Sequence, residues 1–415
     1  MKESIRVRAF CGIDWAEDHH DVALVDEAGQ LLAKRRISDT VEGFEELLQL
    51  LADAGDDPDD PFPVAIETPR GLLVAALRAT GRQVFAINPM AVARYRERHS
   101  VARKKSGHVD AMTLAGILRT DAHAHRPLPA DTDLARAIAV LARAHQDAIW
   151  RRTRASNALR SLLREYFPVF LAAFADRTTN LAGRDARAVL AIALTPTAAV
   201  KLPRTRIAAA LRRAGRQRGI DQLARRIHQA LRQPQLHQPP LVERAMGEQA
   251  RALLAVLDAE CDNVDRLGLA VAEAFAQHPD YEIITSFPGL GDELGARLPA
   301  EIGDDRTWFA DARALKAYAG SAPITRASGR SVSITRRSIK NNRLAATGFR
   351  WAFCAASKTG PARDHYQQRR DQGDRHPAAL RHLFNRMLGQ LHHCLQTRQT
   401  YDPLKAFPPP LSAAA

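Results

Sequence analysis

The hydrophobic pattern of the chain changes near residue 130, and this change constrains the fold more than any other feature. Before it, short apolar runs at 9–13, 21–25 and 63–67 alternate with segments whose apolar residues recur at helical spacing. After it, long stretches rich in Ala, Leu and Arg have helical periodicity only. We therefore predict an α/β domain over residues 1–128, beyond which the strands stop.

Within the first domain, residues 8–38 predict three antiparallel strands joined as a meander. Thr40 stands where a helix cap is expected, and Phe44, Leu47 and Leu51 follow it at helical spacing. A strand at 63–67, a helix at 71–80 and a strand at 83–88 come next. A meander followed by alternating helices and strands is the order of an RNase H-like α/β domain.

The rest of the chain predicts helices. Residues 129–280 form a helical region in which segments 134–164 and 241–275 are candidates for a coiled-coil pair. Residues 281–400 predict a mainly α C-terminal domain, and the proline-rich end, residues 401–415, predicts a disordered tail.

Charge indicates a polyanionic partner. Lys and Arg number 60 against 46 Asp and Glu, a net charge of +14, and residues 321–350 hold seven Lys or Arg without an acid. Nucleic acid fits better than a membrane, because no run of eighteen apolar residues and no signal peptide are found. The four cysteines lack paired spacing, which predicts a cytoplasmic protein.

Three acids stand where separate elements begin or end. Asp14 ends the first strand, Glu67 ends the strand at 63–67, and Asp110 opens a helix. Mg²⁺ prefers carboxylate ligands, so the three together predict a magnesium site suited to phosphodiester cleavage. Each acid alone also has an ordinary explanation, as a turn residue, a solvated strand end or a first-turn helix acid.

A candidate nucleophile, Ser328, lies in the basic stretch near the C-terminus. A lone serine needs activation, and a Ser-Gly pair is common in loops, so an ordinary loop residue is the alternative. The functional interpretation rests on nearby cations that could bind a scissile phosphate and stabilise negative charge. These predicted contacts are Arg326, Arg330, Arg336, Arg337 and Lys340, and Lys105 is a further predicted contact near the acids.

These motifs together resemble a known family. Gly12-Ile13-Asp14, Ile66-Glu67-Thr68 and Lys105-Ser106 followed by Asp110-Ala111 are similar to the RuvC-like domain of DEDD insertion-sequence transposases. That group includes Piv-type DNA invertases and bridge-RNA-guided recombinases. Segment 317–323 and Ser328-Gly329 resemble the family's C-terminal transposase domain.

The resemblance implies a recombinase that excises and inserts a mobile element. By it, Asp14, Glu67 and Asp110 bind Mg²⁺, and Ser328 attacks DNA to form a phosphoserine link. It further implies a structured guide RNA and a homo-oligomer, a dimer or tetramer, in which one protomer's acids meet another's serine.

One position departs from the family pattern. The family has an acid three residues before the last Asp, and this chain has Gly107 there. Losing a negative ligand should weaken Mg²⁺ binding, although His108 or a water could substitute in part. We expect the fold and nucleic-acid binding to be kept and strand cleavage to be reduced.

Two other interpretations stay open at this point. A metal-dependent RuvC-like junction nuclease would use water and need no serine. A nucleic-acid-binding relic of a transposase would bind DNA without cutting it, and its incomplete acid set would then be a remnant.

Overall fold

The computed structural model describes residues 8–99, 106–175, 180–329 and 331–408. The chain forms two compact units, residues 1–130 and 131–415. The sequence predicts the first boundary at residue 128, two residues from this division.

The first unit is built on one sheet with strand order β3-β2-β1-β4-β5. Its strands are β1 (Phe10–Trp15), β2 (His19–Val25), β3 (Leu31–Ser38), β4 (Val64–Ile66) and β5 (Val84–Ala86). The first three are antiparallel neighbours, whereas β4 is parallel to both β1 and β5. The predicted meander is confirmed, and this mixed sheet is compatible with the predicted RNase H-like domain.

Helices cover both faces of this sheet. They are α1 (Val41–Asp53), α2 (Leu72–Ala79), α3 (Pro89–His99), α4 (Gly107–Asp121) and a 3-10 turn at Ala122–Ala124. The predicted cap is confirmed, because the Thr40 hydroxyl accepts a hydrogen bond from the Gly43 amide and so satisfies a free donor of α1. Alternate residues of β1 divide between two cores: Ile13 packs with residues of α1 and α2, and Phe10 packs with residues of α4.

The second unit is mainly helical. Its helices are α5 (Asp133–Tyr166), α6 (Pro168–Ala173), α7 (Arg184–Ile192), α8 (Pro196–Val200), α9 (Arg204–Arg213), α10 (Ile220–Ala230), α11 (Pro240–Ala276), α12 (Tyr281–Thr285), α13 (Asp292–Ala296), α14 (Pro299–Ile302), α15 (Ala312–Tyr318), α16 (Asn342–Ser357), α17 (Pro361–Asp371), α18 (His376–Thr397) and α19 (Pro403–Ala406). Its two strands are β6 (Ile324–Ser328) and β7 (Ser331–Thr335).

The long helices α5 and α11 run antiparallel through both cores of the second unit. Ile138 of α5 and Val271 of α11 share one core with the C-terminal helices. Leu159 and Leu254, toward the other ends, share the second core with α6 to α10. Buried residues of α11 recur at alternating spacings of four and three from Glu243 to Phe275, the pattern of a coiled-coil seam. The predicted regions 129–280 and 281–400 thus lie in one unit and are connected by these helices.

Two sequence predictions about the second unit are wrong. Strands do not stop beyond residue 130, because β6 at Ile324–Ser328 and β7 at Ser331–Thr335 pair as an antiparallel hairpin. The predicted disordered tail begins too early, because residues 401–408 include α19. Ala406 is buried and its carbonyl accepts a hydrogen bond from Arg386.

Candidate active site

Helix α4 lies very close to β1, and a glycine allows this approach. A Cβ atom built on Gly12 would lie 2.0 Å from the carbonyl oxygen of Ala111 and 2.5 Å from the amide nitrogen of Ala115. Any side chain at position 12 would therefore push the helix away from the strand. The Ser106 hydroxyl caps α4, which begins at Gly107, so Asp110 lies in the first turn and not at the start as predicted.

This packing places the start of α4 against two acids on the sheet. Asp14 on β1 pairs with Asp21 on β2 in the antiparallel register, so both side chains are on the same face. A Cβ atom built on Gly107 would lie 1.9 Å from Asp21 Oδ2 and 3.1 Å from Asp14 Oδ2. The position of the missing family acid is therefore inside this acid cluster.

Sequence reasoning missed Asp21, which is buried with 4% of its surface exposed. Arg36 of β3 donates two hydrogen bonds of 3.0 Å, from Nε to Oδ1 and from Nη2 to Oδ2. His108 Nδ1 lies 3.3 Å from Asp21 Oδ1. The hydrogen bonds from Arg36 lower the pKa of Asp21, although burial acts in the opposite direction. Asp21 is therefore a buried carboxylate held ionised.

Asp110, also 4% exposed, faces a cation of α3. Arg96 Nη2 lies 2.7 Å from Asp110 Oδ1, although the geometry does not give a hydrogen bond at this oxygen. The third predicted acid, Glu67, follows β4 directly and is partly buried. Since β4 is the parallel neighbour of β1, with Ile66 beside Ile13, Glu67 leaves the sheet at the same edge as Asp14.

The donor set has the chemistry that a hard divalent ion requires, namely carboxylate oxygens from separate rigid elements. The space beside Gly107 is taken by the carboxylate of Asp21. Within the described ranges, however, no three His, Cys, Asp or Glu side chains are arranged to hold one metal ion in this structure. Arg36 and Arg96 contact Asp21 and Asp110 instead, so their positive charges occupy the cluster, and the His108 ring lies beside Asp21.

Ser328 belongs to the second unit, at the tip of the β6–β7 hairpin, where it pairs with Ser331. The following residue, Gly329, has φ +57°, the left-handed conformation that a tight hairpin turn needs. Ser328 is exposed, and among the residues that the structure describes no side chain hydrogen-bonds to its hydroxyl.

The hairpin has two different faces. Arg326 pairs with Ser333 and alternates with Ser328 on one face, which is polar. Val332 and Ile334 alternate on the other face and are 67% and 71% exposed. The hairpin therefore presents a polar face with Arg326 and Ser328 and an exposed apolar face with Val332 and Ile334.

The predicted cationic residues are not equivalent. Arg326 and Arg336 are exposed, whereas Arg337 and Lys340 are partly buried near the base of the hairpin. Lys340 Nζ donates a hydrogen bond to the Arg337 carbonyl, and the Asn341 amide donates to the Tyr318 carbonyl, which anchors that base. Lys105 and Arg330 lie outside the described residues.

Two family models match the chain. A transposase model of the DEDD type found in the insertion element IS110 matches residues 11–168, and the model of the transposase IS116/IS110/IS902 family matches residues 281–367. Among the residues described, no helix is long and apolar enough to cross a membrane.

Similar proteins extend over nearly the whole chain. A mini-circle putative transposase for IS117 from Streptomyces coelicolor is 59% identical and covers 98% of both chains. An uncharacterised protein of insertion element IS116 from Streptomyces clavuligerus is 30% identical over 98% of both, and one of IS900 from Mycobacterium paratuberculosis is 29% identical over 95% of this chain and 97% of its own length. These matches define a class, the DNA-acting transposases. The chain belongs to the IS110-type family of DEDD insertion-sequence transposases.

Proposed function

We propose that this chain is an insertion-sequence recombinase that cleaves and exchanges DNA strands with metal-binding acids and a serine nucleophile. The observation that carries the proposal is the cluster at the start of α4, where position 107 lies 3.1 Å from Asp14 Oδ2 when given a Cβ atom. The first residue of α4, the helix that carries Asp110, thus lies against Asp14 of β1. The strand order and the parallel β1–β4 pair support an RNase H-like, RuvC-like fold for the first unit.

Asp14, Glu67 and Asp110 would hold the divalent ion, which we take to be Mg²⁺. When bound, such an ion polarises phosphoryl oxygens and offsets the charge that develops on them. The protein's own contribution is to fix these carboxylates on two strands and a helix, so that they need little reorganisation.

Ser328 is the proposed nucleophile. Its hydroxyl gives up a proton and Oγ forms a bond to phosphorus, while the bond from phosphorus to a deoxyribose oxygen breaks and that oxygen takes a proton. The energy of the broken phosphodiester is kept in the phosphoserine link, and a second DNA end can attack that link to rejoin strands. Arg326, on the same face of the hairpin, is placed to bind the phosphate.

DNA, a structured guide RNA and further copies of the chain are the proposed partners. The net charge of +14 suits nucleic acid. The hairpin presents a serine, an arginine and exposed apolar residues. This arrangement suits an active site in which a partner supplies the groups that act together with the serine.

Trapping of a covalent adduct tests the proposal. The full chain is incubated with Mg²⁺, labelled DNA carrying the ends of its element, and RNA transcribed from the element's flanks, and the products are separated under denaturing conditions. We expect a protein–DNA adduct from the unmodified chain and from the control Ser331→Ala, and none from Ser328→Ala or Asp14→Asn. Ser328→Ala should retain the thermal stability of the unmodified chain within about 0.5 kcal/mol, because the residue is exposed.

The other outcomes separate the competing functions. Strand cleavage that continues in Ser328→Ala without any adduct would identify a nuclease that uses water. DNA binding without cleavage in the unmodified chain, unaltered by Asp14→Asn, would identify a nucleic-acid-binding relic.

A further inference from the structure

We infer that Asp21 is a metal ligand of this chain and takes the place of the acid that the family has at position 107. The inference rests on the proposed function, which supplies the divalent ion. It names a residue on β2, a strand that carries none of the acids of the family pattern.

A side chain at position 107 and the carboxylate of Asp21 would compete for the same space. A Cβ atom at position 107 would lie 1.9 Å from Asp21 Oδ2, closer than two such atoms can approach. An acid at position 107 would therefore require the Asp21 carboxylate to leave its observed position. The carboxylate of Asp21 fills the space that a side chain at position 107 would enter, next to Asp14 Oδ2.

The buried carboxylates of the cluster need positive charge beside them. Asp21 is 4% exposed and shares a face with Asp14, and Asp110 is buried equally. Bringing several carboxylates together under burial is unfavourable unless cations balance them. Here Arg36, with 57% of its side chain exposed, balances Asp21, and Arg96, with 21% exposed, balances Asp110, while the His108 ring lies 3.3 Å from Asp21. Arg36 can withdraw toward solvent when a divalent ion replaces it.

The strand β2 holds Asp21 in a well-defined position. Asp21 projects from the interior of a seven-residue strand that is hydrogen-bonded on both sides, by β1 and β3. Its backbone is therefore as rigid as that of Asp14. An acid at position 107 would come from the first residue of a helix, so the exchange moves one ligand from α4 to an interior strand of the sheet without losing its charge.

Binding of Mn²⁺, followed by electron paramagnetic resonance on the full chain, tests this inference without any reaction. We expect Asp21→Asn to raise the Kd for Mn²⁺ about tenfold or more, because a charged ligand is lost. Arg36→Gln should lower the Kd, because a cation that competes for both oxygens of Asp21 is removed. A purely structural pair would give no such opposite effects.

The matched control is Asp56→Asn. Asp56 is another buried carboxylate of the first unit with an arginine partner, Arg82, at 2.7 Å. Its replacement should reduce stability and leave the Kd for Mn²⁺ unchanged. An Asp21→Asn variant whose Kd stays within twofold of that of the unmodified chain would overturn the inference.

If Asp21→Asn folds poorly, variants that move the acid from position 21 to position 107 provide a second test. Gly107→Asp alone should disturb the cluster, because the added side chain meets Asp21. Asp21→Ser combined with Gly107→Asp restores the family's arrangement without that clash. We expect the double variant to bind Mn²⁺ within about threefold of the unmodified chain and Asp21→Ser alone to bind about tenfold less tightly. Equal, weak binding by both would count against the exchange.

Mn²⁺ binding by the variants distinguishes loss of the role of Asp21 from loss of the whole metal site. If Asp14→Asn weakens Mn²⁺ binding and Asp21→Asn does not, the metal site stands and only the role of Asp21 is lost. If the unmodified chain binds no Mn²⁺, both the metal site and the role of Asp21 are overturned, while the serine adduct remains a separate measurement.

Discussion

The acid cluster of the first unit and the serine hairpin of the second hold their polar side chains in opposite ways. Asp21 and Asp110 are buried, and cations from neighbouring elements contact both. Ser328 is exposed on a hairpin whose described residues lie mostly in solvent. The acids depend on the packing of a whole unit, whereas the serine depends on one turn and an anchored base.

The proposed roles of the two groups account for this difference. Carboxylates that hold a metal ion repel one another, and only a rigid fold keeps them together. A nucleophile that must reach a phosphate in a large duplex is better placed on a projecting element. Substitutions in the first region should therefore change stability, and those in the second should change only DNA chemistry and DNA binding.

The largest expected effect is a difference in stability between substitutions at Gly12 and at Gly329. Gly12→Ala should lower the free energy of unfolding by about 3 kcal/mol, because its Cβ atom would meet backbone atoms of α4 that cannot move alone. Gly329→Ala should cost no more than about 1 kcal/mol, because it meets no atom within 4 Å and only the positive φ is unfavourable. Thermal and urea unfolding of the full chain measure both.

Gly291→Ala is the control for that pair, since a Cβ atom there meets nothing within 4 Å and the backbone φ is −132°. It should alter stability by about 0.5 kcal/mol at most. Equal losses for Gly12→Ala and Gly329→Ala would remove the contrast between the two regions.

The next effect is on DNA binding. Arg326→Gln with Arg336→Gln should reduce the slope of log affinity against log salt by about two, because each exposed arginine that contacts a phosphate releases about one counterion. Fluorescence anisotropy at several salt concentrations measures this slope. The control, Arg251→Gln with Arg363→Gln, changes net charge equally at exposed sites of α11 and α17. If both pairs changed the slope equally, the hairpin would not be a distinct contact surface.

The smallest effect is a difference in acid sensitivity. Burial and the charges of Arg386 and Arg369 lower the pKa of His365 to about 4, from 6.5. The unfolded chain then binds more protons between these values, so stability falls as pH decreases from about 6.5 to 4. Asp21, with a lowered pKa, contributes stability that is lost only below its ordinary value of 3.8. The two units should thus respond to acid in different windows.

Urea unfolding at pH 7 and pH 5 checks this difference. His365→Gln should reduce the loss of stability between the two pH values by about 1 kcal/mol, a figure that allows for partial exposure of the ring. Asp21→Asn should leave that loss unchanged. The same pH dependence in His365→Gln and the unmodified chain would exclude His365 as the group responsible.

Much of the first unit was predictable from sequence. The apolar runs and the cap at Thr40 predict the meander and α1, because strand alternation and capping are local properties. The same patterns place Asp14 near the end of its strand and Asp110 close to the beginning of its helix, although the helix starts at Gly107. Gly107 is recognised as a departure only through the family motif, and its closeness to Asp14 requires the packing of α4 on β1.

Asp21 could not be assigned in the same way. Its role depends on the register between β1 and β2, and a slip of one residue would turn it to the other face. The β6–β7 hairpin did carry a local signal, namely alternation on both sides of Gly329, but the basic charge of the segment favoured a loop. The placement of α19 depends on tertiary contacts with Arg386 that no local pattern shows.

The seam of α11 limits how members of this family can change in length. Its buried positions follow a seven-residue repeat between the two cores of the second unit. An insertion of one residue would rotate everything beyond it by about 100° and turn the seam toward solvent, whereas seven residues would restore it and add about 10 Å between the cores. Relatives should therefore differ in the length of this helix pair by whole heptads. The distance between the two cores can then change only in steps of seven residues.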